Sequence, residues 1–117
     1  MDTAKIRTIA SQREETLRDV SQKLKVCGHP VRLELLCAIA KEQEPCVSEL
    51  WVCVRQPQPV VSQHLAVLKE RGIVSSEVQG NRRIYSISDP YIRRLILSLK
   101  SEFGELARTD VDDELES

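Results

Sequence analysis

The sequence predicts a mostly helical domain with one small β-hairpin, in the element order α-α-α-α-β-β-α. Three observations predict it. Apolar residues recur at a helical period over most of the chain, prolines interrupt that period near residue 57, and a Gly-Asn pair separates two β-rich runs. A length of 117 residues fits one domain. A domain of this size buries only about two-thirds of its unfolded surface, so a second copy of the chain would add contact.

The first two helices are predicted from periodicity and from the residues that separate them. The segment from Thr3 to Val26 carries an apolar stripe interrupted by charge, which is typical of a surface or dimer helix. Gly28 can end this helix, and Pro30 suits the first turn of the next. The run VRLELLCAIAKE that follows is apolar almost all round and predicts a buried central helix.

A short helix near Val47 to Val54 and a second from Pro59 to Arg71 are joined by the turn RQPQP, since prolines do not fit inside a helix. In the second helix Val61, Leu65 and Leu68 follow the spacing i, i+4, i+7, so we expect them to face inward. A short helix, a tight turn and a second helix form the helix-turn-helix arrangement.

A β-hairpin is predicted next, because Gly80 and Asn81 tolerate the positive φ of a tight turn. Tyr85 and Ile87 alternate onto one face of its second strand. This hairpin is the wing of a winged helix-turn-helix fold. Asp89 and Pro90 then open a last helix.

Charge divides the chain into a body and a tail. The whole chain has 17 Lys and Arg against 18 Asp and Glu. Residues 102–117 hold seven of these acids and a single base, so residues 1–101 carry a net positive charge. We expect 1–101 to be one folded domain, whose positive charge permits phosphate binding, and 102–117 to be a flexible acidic tail.

Several classes of protein are not expected. No apolar run reaches the roughly 18 to 20 residues of a membrane span, and the N-terminal segment lacks an apolar signal-peptide core. The protein is therefore expected to be cytoplasmic, with no membrane partner. Because the sequence has no Cys-x-x-Cys pair, nucleotide-binding glycine loop or paired catalytic groups, we do not expect an enzyme.

The residues expected to contact DNA lie near the start of the second helix of the turn and on the wing. Gln can form bidentate hydrogen bonds to adenine, and Ser can bond bases or phosphates. The N-terminal residues of a recognition helix reach the bases, while wing arginines can hold the DNA backbone or enter the minor groove. The predicted contacts are Gln58, Ser62, Gln63, His64, Arg82 and Arg83.

Four segments in order, LKVCGHPVRLELLCAI, CVSEL, QPVVSQHLAVLKERGIV and VQGNRRIYSI, resemble the ArsR/SmtB family of bacterial repressors over about residues 20–100. The resemblance implies a homodimer of winged-helix subunits joined by their first and last helices, with residues 1–101 as the DNA-binding and dimerisation domain. It also implies binding to double-stranded operator DNA with two half-sites, and release when an inducer binds. The family's DNA contacts carry over to the six residues named above.

The resemblance also implies places where an inducer could act. One family site on the last helix uses an Asp-x-His start and a His-x-x-Glu end. Asp89 and Glu105 match this pattern, but Tyr91 and Glu102 stand where the histidines would be. Zinc favours imidazole and thiolate donors, so we expect this site to be lost and the two carboxylates to be ordinary surface acids.

A second family site binds arsenite or a soft metal ion through a Cys-x-Cys pair at the start of the short helix. Cys46 is present here, whereas Ser48 replaces the other cysteine. Cys53 lies about two helical turns further on, roughly 10 Å along the axis, which is too far for joint chelation unless the chain bends. No cofactor is assigned, and arsenite or a soft metal at the cysteines stays open.

A third family mode senses oxidants or reactive sulfur through two cysteines. Cys37 stands where thiol-sensing relatives carry one of theirs, but their second lies in the last helix and no cysteine follows Cys53 here. Another cysteine could pair with Cys37 if the two Cα atoms came within about 7 Å. The candidate sensing residues are Cys37, Cys46 and Cys53, whereas Cys27 is expected to pack as a small apolar residue.

The sequence therefore predicts a DNA-binding transcriptional repressor that releases its operator when cysteine chemistry changes its shape. Two alternatives remain open. One is a winged-helix module that binds protein, for which Trp51 and the acidic tail would be the supporting features. The other is a repressor without a small-molecule inducer.

Overall fold

Five helices and one hairpin make up the domain in the computed structural model, which describes residues 2–41 and 47–104, with only the backbone of 47–49. The predicted order α-α-α-α-β-β-α is confirmed. Residues 105–117 of the predicted tail lie outside the described part, so the tail stays a prediction. The elements are α1 (Thr3–Cys27), α2 (Pro30–Lys41), α3 (Val47–Val54), α4 (Gln58–Glu70), β1 (Val74–Gln79), β2 (Arg82–Ile87) and α5 (Pro90–Phe103).

Helix α2 is the centre of the core. Its residues from Leu35 to Ile39 are all buried, as the apolar run predicted. It contacts α1, α3, α4, α5 and β2. A helix that is apolar on nearly every side can be stable in water only when other elements surround it, and this is the arrangement found.

Helix α1 contrasts with α2, because most of it projects from the domain. It starts at Asp2, whose carboxylate accepts a hydrogen bond from the backbone N–H of Ala4, and it ends at Gly28 as predicted. Of its 25 residues only Cys27 is buried. The N-terminal two-thirds of the helix therefore gains little stability from packing within the same chain.

The helix-turn-helix unit consists of α3, a three-residue turn and α4. Arg55, the first residue of the turn, has a φ of 56°, in the left-handed region that favours glycine. Pro57 and Pro59 lie at the start of α4, where a missing N–H costs no intrahelical bond. Val61, Leu65 and Leu68 are buried, which confirms the predicted inward face of α4.

The wing is a two-stranded antiparallel hairpin in which Val74 pairs with Ile87 and Gln79 pairs with Arg82. Gly80 supplies the positive φ that the turn requires, at 63°. At the base of the hairpin, the carbonyl oxygen of Ile73 accepts hydrogen bonds from the N–H groups of Ser88 and Asp89. The wing is thereby joined directly to the start of α5.

Among the residues that the structure describes, none of the helices has the length and apolar character that crossing a membrane requires.

Candidate nucleic-acid interface

The exposed face of α4 carries three of the predicted DNA contacts. The side chains of Gln58, Ser62 and Gln63 are all exposed, whereas Val61, Leu65 and Leu68 of the same helix are buried. Because Val61 and Leu65 are almost completely buried, the helix cannot rotate without exposing them. The polar row is therefore held in a fixed orientation towards solvent.

The N-terminal end of α4 has no side-chain cap. Pro57 is the N-cap residue and its side chain makes no hydrogen bond, although its carbonyl accepts from the N–H groups of Val60 and Val61. An uncapped N-terminus keeps the positive end of the helix dipole available to an anion. The polar row on α4 begins at this end.

His64 is placed differently from the other three residues on α4. It is half-buried, and its Nδ1 accepts a hydrogen bond from Nε of Arg32 at 3.2 Å. Its ring lies 4.6 Å from that of His29. Burial, followed by the proximity of His29 and Arg32, lowers the pKa of His64 and favours the neutral ring that Arg32 requires.

The contacts of Arg32 extend this junction. Its guanidinium also donates to the carbonyl oxygen of Val26, while His29 accepts from the N–H of Val31 at the start of α2. His64 therefore connects α4 to the corner between α1 and α2. Its contact with DNA stays a prediction.

The two wing arginines lie on opposite faces of the hairpin, because successive residues of a strand alternate. Arg82 pairs with Gln79 and Arg83 pairs with Val78, and both arginines are exposed. The guanidinium of Arg83 donates to the Oγ atom of Ser76 at 3.2 Å. DNA contact by Arg82 and Arg83 stays a prediction, and their opposite placement means that the two side chains would approach DNA differently.

Sequence reasoning missed a residue beside Arg83. Lys69, in the last turn of α4, donates from Nζ to the same Ser76 Oγ at 2.9 Å. The spacing of Ser62, Ala66 and Lys69 is i, i+4, i+7, which forms a stripe on one side of the helix. That spacing is a signal in the sequence that could have placed Lys69 beside the predicted contacts.

Asp89 corrects an expectation. It was expected to be a surface acid, but it is 7% exposed. Its Oδ1 accepts the N–H of Ile92, which makes it the N-cap of α5, and its Oδ2 lies 2.7 Å from Nζ of Lys23 on α1. No local pattern predicts this burial, because Lys23 is distant from Asp89 along the chain.

Two opposing effects set the protonation of Asp89. Burial alone would raise the pKa of its carboxyl group, but the hydrogen bonds from Lys23 and from the backbone of Ile92 outweigh burial and lower it. The same contact raises the pKa of Lys23. Asp89 is therefore a buried carboxylate in an ion pair.

The zinc site on the last helix does not fit the observed contacts. Both carboxylate oxygens of Asp89 already have partners, Ile92 and Lys23. Tyr91 is exposed and offers no imidazole, while Glu105 lies outside the described residues. Among the side chains that the structure describes, no three of His, Cys, Asp or Glu gather as metal ligands. The residues described at this position therefore do not fit a zinc ion.

The cysteines differ strongly in exposure. Cys27 and Cys37 are buried in the core, and Cys53 on α3 is half-buried against it. Burial, with a smaller contribution from Asp89, raises the pKa of the Cys27 thiol to about 11, which keeps it protonated at neutral pH. This agrees with the expectation that Cys27 packs as an apolar residue. Cys46 lies outside the described residues.

Trp51 lies half-buried on α3 and packs against the core. This position gives the indole a structural role within the chain. The packing therefore does not add support to a protein-binding module.

Comparison with known proteins places these features in context. The sequence pattern of the family described as "Bacterial regulatory protein, arsR family" matches residues 29–76, from the start of α2 to β1. The chain is 33% identical over 91 residues to the HTH-type transcriptional repressor SmtB of Mycobacterium tuberculosis, covering 78% of this chain and 67% of that protein.

Solved structures have the same fold. The crystal structure of the transcriptional repressor BigR from Xylella fastidiosa superposes with a TM-score of 0.70 at 32% identity, covering 80% of this chain and 95% of BigR. The structure of reduced HlyU from Vibrio cholerae superposes with a TM-score of 0.74 at 26% identity, covering 80% of this chain and 98% of HlyU.

Proposed function

The chain belongs to the arsR family of bacterial regulatory proteins, and on this premise we propose that it is a homodimeric repressor that places α4 in the major groove of its operator. The single observation that carries the proposal is the exposed polar row Gln58, Ser62 and Gln63 on a helix whose other face is locked into the core. These side chains have the donors and acceptors that base edges recognise.

The dimer would form through the first and last helices. The side chains of Ile6, Ile9, Leu17 and Leu24 are 41–59% exposed in the single chain, although all are large and apolar. They fall on one side of α1 at the helical period. An apolar stripe of this length on a helix with little support from its own chain is typical of a subunit interface.

The DNA part of the proposal is tested with Gln63→Ala. If Gln63 contacts a base, the substitution should weaken binding to the operator by about 1–3 kcal/mol and relax the sequence preference at one position. The measurement is fluorescence anisotropy with labelled duplexes from the region upstream of the gene. Gln22→Ala is the matched control, because Gln22 is an exposed glutamine on α1. Equal binding by wild type and Gln63→Ala would remove Gln63 from the interface.

For the inducer we propose that chemistry at the cysteines lowers the affinity for DNA. The support is the difference in burial between Cys53, which solvent reaches in part, and Cys37, which is 1% exposed in the core. Modification at Cys53 would disturb the packing of α3 on α2, and α3 in turn contacts α4. An inducer acts by favouring the conformation that does not bind DNA. The contacts from α3 to α2 and α4 would carry the change at Cys53 to the DNA-binding helix.

We expect alkylation at neutral pH to modify Cys53 well before Cys37 or Cys27. Mass spectrometry after a timed reaction with iodoacetamide measures this order and includes Cys46. Operator binding should fall after treatment with an oxidant, a persulfide or arsenite, and Cys53→Ser or Cys46→Ser should abolish that fall. Unchanged binding under all three treatments would contradict cysteine sensing and leave a repressor without these inducers.

A further inference from the structure

Three side chains from three elements meet between the recognition helix and the wing. The Oγ atom of Ser76, in the middle of β1, accepts hydrogen bonds from Lys69 at 2.9 Å and from Arg83 at 3.2 Å. Lys69 belongs to α4 and Arg83 to β2. The ammonium and guanidinium nitrogens that meet at Ser76 are therefore at most about 6 Å apart.

This arrangement concentrates positive charge without neutralising it. A hydroxyl oxygen has two lone pairs and can accept from both cations, but it carries no charge. Neither cation is in an ion pair with a carboxylate in the part of the chain that the structure describes. Glu77, the adjacent acid, alternates to the other face of the strand, where it accepts from Gln79. Two adjacent cations that share one neutral acceptor are suited to bind an anion.

We propose that Lys69, Ser76 and Arg83 form a phosphate site that holds one backbone phosphate of the DNA between α4 and the wing. The inference deepens the proposed function, on which it rests. A phosphate oxygen would replace the Ser76 hydroxyl as acceptor for both cations, and the hydroxyl would then donate its own hydrogen to the phosphate. Such a contact fixes the register of the protein on the duplex and does not read sequence.

The position of Lys69 supports this assignment. It continues the exposed stripe through Ser62 and Ala66, so the site lies at the end of the surface that carries the predicted base contacts. The wing is also held against α4 by the Lys69–Ser76 hydrogen bond. One phosphate bound here would connect the helix and the wing to the same DNA strand.

The test measures how DNA affinity depends on salt. The logarithm of the association constant K for DNA falls linearly with log [KCl]. We expect Lys69→Gln and Arg83→Gln each to make this slope less steep by about one. The reduction should be equal for the upstream duplex and a random-sequence duplex, because phosphates are common to both. Lys5→Gln is the matched control, since Lys5 is exposed near the far end of α1. It should leave the slope unchanged.

Ser76 supplies a second readout. Ser76→Asp places a carboxylate between the two cations, so we expect it to raise the Tm by relieving their repulsion. We also expect it to lower the affinity for both duplexes by about tenfold or more. Ser76→Ala keeps the cations and should change affinity only a few-fold. An Asp variant with unchanged Tm and unchanged affinity would overturn the site.

A sulfate titration separates a DNA phosphate from a free oxyanion. One outcome is that sulfate at constant ionic strength raises the Tm of wild type but not of Lys69→Gln. If the salt slopes for both duplexes are then the same in the variants as in wild type, the site holds a free oxyanion and not a DNA phosphate. If neither the slopes nor the sulfate response changes in the variants, the site is wrong. If wild type binds no duplex, the proposed function fails, and the sulfate response alone decides whether the site exists.

Discussion

A Leu17→Arg variant is expected to be monomeric and to bind the operator roughly 10² to 10⁴ times more weakly than wild type. Leu17 is 59% exposed on α1, in the middle of the apolar stripe proposed as the subunit interface. An arginine there would have to bury its charge against the partner, which costs more than the interface gains. A monomer then binds one half-site only. It loses the gain that a dimer has because its second subunit is already held beside the second half-site.

Sedimentation velocity gives the oligomeric state, and anisotropy with the upstream duplex gives the affinity. Ser11→Arg is the matched control, because Ser11 is exposed on another face of α1 and its substitution adds the same charge. A Leu17→Arg protein that sediments as a dimer would show that α1 is not the interface. Weak DNA binding with an intact dimer would instead point to an effect on folding, which circular dichroism detects.

An Asp89→Ala variant is expected to lose about 1–3 kcal/mol of unfolding free energy. An N-cap carboxylate is worth about 0.5–2 kcal/mol, and here the same side chain also holds Lys23 of α1. Asp89→Asn should lose less, because an amide oxygen can still accept from Ile92. Urea denaturation measures both variants, and equal stability of wild type and Asp89→Ala would show that the cap contributes nothing.

The pH dependence of this difference follows from the lowered pKa of Asp89. The folded state favours the ionised carboxylate, so its contribution is complete above the ordinary pKa of 3.8 and is lost as pH falls through the lower folded value. The advantage of wild type over Asp89→Asn should therefore be constant at neutral pH and shrink below about pH 4. An advantage that persists unchanged at pH 2.5 would mean that the ion pair does not stabilise the fold.

Local signals in the sequence were sufficient for most of the fold. The apolar run of α2 predicted a buried helix, and the spacing of Val61, Leu65 and Leu68 predicted which face of α4 is inward. Gly80 predicted the wing turn through the φ it must adopt. Each of these depends on neighbours within a few residues, where periodicity and turn chemistry operate.

Contacts between distant segments could not be predicted in the same way. The burial of Asp89 depends on Lys23, and the environment of His64 depends on Arg32, which lies in another helix. A charged or polar residue looks the same in sequence whether it meets solvent or a partner brought to it by the fold. The expectation of a surface carboxylate at Asp89 was wrong for this reason.

The turn before α4 contains one strained backbone position. Arg55 adopts a φ of 56°, a conformation that costs an L residue about 1–2 kcal/mol and costs glycine very little. Natural proteins settle just above the stability they need, so a strained turn persists wherever the rest of the fold can tolerate it. Glycine at position 55 would therefore relieve backbone strain in the helix-turn-helix unit, at an exposed site outside the core.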